Sequence, residues 1–111
     1  DLNEIEAVAR DGRAETPLGA FAAPADAPNG PCTVCLRPSA LQIVPPGKGD
    51  AVGVVIRRRF LGDSNLIVAQ VDGLGAPLML KASPGVAPMP SETIGVHVTH
   101  GQALVFASGS Y

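Results

Sequence analysis

Apolar residues in this chain recur at every second position over short runs, and glycine, proline, asparagine or aspartate closes each run. That period places alternate side chains on opposite sides of an extended backbone and predicts β-strands rather than helices. The densest stretch is 52–71, VGVVIRRRFLGDSNLIVAQV, which predicts two strands meeting at a tight corner, Leu61-Gly62-Asp63. Ahead of it, 2–8 reads as an edge or pairing strand, Asp11-Gly12 as a two-residue hairpin turn, and 13–16 as the return strand, ended by Pro17. A short extended piece follows over 18–22. Residues 23–31 hold Pro24, Pro28, Pro31 and Asn29-Gly30 and read as a linker. Strands are predicted over 32–36 and 41–44, with one helical turn available at 39–41 after Pro38. Beyond the corner come a turn at 72–75, a strand over 77–82, a proline-rich surface loop over 83–92 and a strand over 94–98. A turn at Gly101-Gln102, a last strand over 103–107 and a solvated tail complete the chain. The expected fold is all-β, an antiparallel barrel or sandwich opened by an N-terminal hairpin.

Counting faces exposes a conflict in the central strands. Val52, Val54, Ile56, Arg58 and Phe60 share one side, and Arg58 is out of place among them. Either a bulge near Val54-Val55 shifts the register, or this face leaves the core before Arg58. Over 66–71 both sides are apolar: Leu66 and Val68 on one, Ile67, Ala69 and Val71 on the other. The runs 78–80 and 103–106 share that character. Small antiparallel sheets usually keep one wet face. A second dry face calls for a cover: another sheet of the same chain, a partner subunit, or both.

Composition narrows the classes. At 111 residues the chain makes one domain, and 46% hydrophobic against 16% charged residues is globular rather than disordered. Phe21, Phe60, Phe106 and Tyr111 are the only aromatics and the net charge is −2, which argues against nucleic acid as a partner. No apolar run approaches the roughly 20 residues of a membrane helix. No stretch with the form of a signal peptide opens the sequence, and two cysteines make no disulfide framework, so a reducing, cytosolic setting is expected. With Asp1 in place of Met, a piece excised from a longer protein is expected.

The short motifs weigh against chemistry. Cys32-x-x-Cys35 resembles half a zinc site, but residues three apart on a strand point to opposite faces and no second pair exists. His97-x-x-His100 fails for the same reason, with His97 expected toward solvent. Pro46-Gly47-Lys48-Gly49 lacks the spacing and the helix of a phosphate loop. Arg57-Arg58-Arg59 splits across two faces. Ser39, Ser64 and Ser91 have no histidine–aspartate context, so no catalytic, cofactor-binding or metal-binding residue is assigned.

Leu36-Arg37-Pro38, then Leu41-Gln42-Ile43, resembles the "V-R-P-E" stretch of the C-terminal regulatory (TOBE) domain of ABC importer ATP-binding subunits. The family's next features, a Gly/Val strand, an aromatic-Leu-Gly corner and an aliphatic strand, are similar to 52–56, Phe60-Leu61-Gly62 and 66–71. Its closing strand is similar to Leu104-Val105-Phe106, and "GRAETPLG" over 12–19 looks like the lead-in of the iron(III)-type branch. Ser39 departs from the family's usual glutamate, and Thr99-His100-Gly101 from its acidic turn. The resemblance implies an OB-like fold of TOBE type, with an N-terminal hairpin segment (1–22), a linker (23–31) and the TOBE-like module (32–107). It implies a non-catalytic, regulatory and dimerising role, a homodimer through this domain, an ABC ATPase domain in cis carrying ATP and Mg, and indirect contact with transporter membrane subunits. It also implies a cytoplasmic position, peripheral at the inner face of a bacterial cell membrane. Phe60, Leu61, Leu66, Val68 and Phe106 are expected in the core or interface and Arg58 at the interface. The alternative is a stand-alone small-anion-binding β-barrel, for which Arg37, Arg57 and Ser64 are the candidate donors.

Overall fold

A computed structural model describes residues 2–24 and 28–107; Ala25, Asp26 and Ala27 of the linker and the 108–111 tail lie outside the described residues. Among the described residues ten strands alternate with turns: β1 (Asn3–Arg10), β2 (Arg13–Thr16), β3 (Gly19–Ala22), β4 (Gly30–Leu36), β5 (Leu41–Val44), β6 (Ala51–Phe60), β7 (Asn65–Val71), β8 (Leu78–Ala82), β9 (Thr93–Val98) and β10 (Leu104–Ala107). Single 3-10 turns stand at Pro38–Ala40 and His100–Gln102. The strands form two five-stranded antiparallel sheets, ordered β10-β4-β1-β2-β3 and β5-β9-β6-β7-β8. The second sheet curls until its edge strands β5 and β8 approach each other, giving the expected OB-like all-β fold.

Local chemistry explains most boundaries. Asp11 and Gly12 take φ of 53° and 79°, the left-handed pair of a tight hairpin turn between β1 and β2. Strand β4 begins at Gly30, earlier than the linker reading placed it. Pro31 stands near the start of the strand, beyond the last pair with β10 among the described residues, Ala107 opposite Cys32. Strand β1 is a pairing strand and not an edge: β4 flanks Asn3 to Ala9 and β2 its last three residues.

The two sheets bury their facing sides against each other in one apolar cluster. The first contributes Ile5, Phe21, Val34 and Leu36, the second Val55, Ile67, Leu80 and Val96, all with at most 6% of their surface exposed. Another sheet of the same chain therefore supplies one of the two covers that the apolar pattern demanded. Register settles which side of β6 is inside. Gly53 faces Val71 and Val55 faces Ala69, so Val52, Val54 and Ile56 point outward. The bulge lies one residue beyond the expected place, between Val55 and Arg57. It leaves Ile56 unpaired and returns Arg58 to the inner side, opposite Ile67, beyond the end of the core.

A polar side chain joins the first residue of β1, central in its sheet, to the edge strand β8 of the other. Asn3, 5% exposed, donates from Nδ2 to the carbonyls of Leu36 (3.2 Å) and Met79 (2.8 Å), and its Oδ1 accepts the Met79 N–H at 2.7 Å. It mimics a strand backbone where β1 meets the edge of β8. Asn3→Ala strands two backbone groups of Met79, and we expect it to lower unfolding free energy by about 2–4 kcal/mol, read from the denaturant midpoint at unchanged slope.

Candidate interaction surfaces

The β6–β7 corner projects from the end of the core. Leu61 N–H donates to the Ser64 carbonyl at 2.8 Å, and Gly62, at φ 97°, turns the chain. Phe60 is 65% and Met89 56% exposed, and Leu61 and Val86 are exposed beside them. Two side chains hold this group together. The Arg58 guanidinium donates to the Ala87 carbonyl at 3.1 Å and touches the Met89 sulfur at 3.5 Å. Asn65, buried opposite Phe60, donates to the Val86 carbonyl at 3.1 Å and to that of Pro84 at 3.3 Å. The proline-rich loop is thus folded back along β6, and one end of the molecule carries an apolar group with a positive charge in it.

The six residues singled out from the sequence do not form one patch. Arg58, Phe60 and Leu61 meet at the corner. Leu66 and Val68 lie on the outer side of the second sheet, Val68 buried and Leu66 half-buried. Phe106 is exposed on the outer side of the first sheet, on strand β10, whose far edge has no strand partner among the described residues. Sequence reasoning missed Val86 and Met89, because a loop has no periodicity to mark them. It also placed Val52, Val54 and Ile56 inside. Taking the more apolar parity as inward fails here because Gly53, which packs its backbone against Val71, occupies a core position.

The thiols stand back to back in β4: Cys32 pairs with Ala7 on the inner side and Cys35 with Glu4 on the outer. Burial raises both thiols above their ordinary value, and the carboxylates of Glu6 near Cys32 and of Glu4 and Glu6 near Cys35 raise them further. His97 is half exposed, with Nδ1 3.4 Å from Asp50, whose carboxylate accepts the Val98 N–H at 2.8 Å. Among the described residues, no group of three histidine, cysteine, aspartate or glutamate side chains could hold a metal ion. A cleft of about 500 Å³ opens at the β5–β8 seam; Ser64 and Lys81 line it, but Arg37 and Arg57 do not. The three donors of the anion-binding reading do not converge.

Family comparison agrees with this architecture. The model of the TOBE domain matches residues 34–106, about two-thirds of the chain, and the chain belongs to that family. TOBE domains are non-catalytic, typically regulatory or ligand-binding parts of ABC transporter ATPases. None of the curated proteins compared matches the chain. No helix among the described residues is long and apolar enough to cross a membrane. The match starts within β4, so three strands of the first sheet, β1 to β3, lie outside it.

Raised thiol pKa values carry two consequences. At pH 8 an alkylating reagent should modify Cys32 and Cys35 much more slowly in the native protein than in urea, followed by mass spectrometry. The unfolded thiols ionise near their ordinary value while the native ones stay protonated. The unfolded state therefore binds fewer protons, and stability should fall as pH rises through and above that value.

Proposed function

We propose that this domain regulates and pairs the ATP-binding subunits of an ABC importer. Membership of the TOBE family supports the transporter setting, and the corner built from Phe60, Leu61, Val86 and Met89 supports pairing. Exposed aromatic and methionine side chains with an arginine among them have the composition of interface anchors. Arg58 is tethered to the Ala87 carbonyl, and its charge with its remaining N–H donors stays open to a carboxylate or carbonyl of a partner. In this reading an ATPase domain in cis binds ATP and Mg, and the subunits sit at the cytoplasmic side of the membrane, touching the membrane subunits indirectly. The TOBE pair keeps the ATPases together while they open and close. The transported solute is iron(III) or another small solute such as a polyamine, by resemblance of the 12–19 lead-in.

The pairing is tested by sedimentation equilibrium. The chain should self-associate reversibly, and Phe60→Asp or Met89→Asp should weaken association by at least about tenfold with an unchanged circular dichroism spectrum. A strict monomer at high concentration overturns it.

A further inference from the structure

The outer side of the second sheet is a surface that the pairing corner does not use. Val52, Val54 and Ile56 stand along β6 with 46%, 44% and 48% of their surface exposed. Past the bulge the same side carries Arg57, opposite Val68 and then Met79, and Arg59, opposite Leu66 and then Lys81. The result is an apolar stripe ending in three positive charges. Strands β6, β7 and β8 contain four of the chain's eight lysines and arginines and none of its ten carboxylate residues, although the whole chain is acidic.

We propose that this surface docks an acidic amphipathic helix of a partner protein. A second copy is disfavoured: with no carboxylate on β6, β7 or β8, a two-fold contact through this side would set the arginines and lysine against their own counterparts or against the partner's apolar stripe. An added strand is disfavoured as well. Here β7 is paired on both sides, by β6 and β8, so the surface presents side chains rather than free backbone. The stripe from Val52 to Ile56 spans about 13 Å, which two to three turns of helix cover. Leucines of such a helix would lie over Val54 and Ile56, and its carboxylates over Arg57, Arg59 and Lys81. The arginine forks can grip such carboxylates through paired hydrogen bonds.

The test is an NMR titration of the labelled chain with a synthetic helical peptide of about 14 residues, leucines on one face flanked by glutamates, and with its lysine-for-glutamate twin. Amide shifts confined to β6–β8, binding that weakens with salt, and at least about tenfold weaker binding of the twin are expected. Arg57→Gln/Arg59→Gln, at exposed positions, should weaken the acidic peptide comparably, and so should Val54→Asn, while Arg13→Glu on the opposite sheet should not. Equal binding of the twin, shifts mapping to Phe60 and Met89, or no peptide binding alongside binding to phosphatidylglycerol vesicles each overturns the proposal.

Discussion

Neither sheet of this domain can dry its own inner face, and everything else follows from their closing on each other. The closure is mostly apolar and non-directional, so it sets no register by itself. Asn3 supplies direction. Its amide ties the first residue of β1 to the end of β4 and to the backbone of β8, fixing which edge of the curled sheet meets the other sheet. Buried and fully bonded, it stabilises one arrangement of the sheets more than any alternative that would leave Met79 unpaired. It also lies outside the stretch matched by the family model, as do its whole strand and the β2–β3 hairpin. The N-terminal segment is structurally part of the domain.

The second constraint is the bulge in β6. A strand without it would carry Arg58 and Phe60 on the side of Val54; with it, they turn to the inner side just where the core ends. Backbone bonds hold the irregularity in place: Val55 N–H donates to the Glu92 carbonyl at 2.9 Å, and Ser91 N–H to the Val55 carbonyl at 2.7 Å. The same two bonds bring the proline-rich loop against β6, where Arg58 and Asn65 grip it. One extra residue thereby separates two surfaces, an apolar corner at the end of the barrel and a positively edged stripe on its side. Packing on the adjoining strand β9 is tight for a related reason. Gly95 lies under the carbonyls of Val44 and Pro45, so a side chain there would push the 45–50 loop off the sheet.

Much of this was legible from the residues. Alternation and turn chemistry predicted nine of the strands, some to the residue, and an extended piece where β3 lies, because strand period and the φ demands of Asp11-Gly12 or Pro17 are local properties. The opposed faces of Cys32 and Cys35 followed from strand geometry alone. Arg58 marked an irregularity in β6, with a bulge as one of two readings; the bulge exists, but it brings Arg58 to the inner side, because the face of Val52 and Val54 is the outer one. What local reasoning could not decide was which parity of β6 points inward. Both parities are apolar up to Ile56, so the choice rests on the partners of Gly53 and Val55 across the sheet. Nor could it join Met89 to Arg58, which are far apart in sequence and meet only through the fold. The chain by itself determined the element type, the turns and the family; tertiary structure alone decided which apolar residues stay exposed, because exposure depends on what the opposite sheet has already covered.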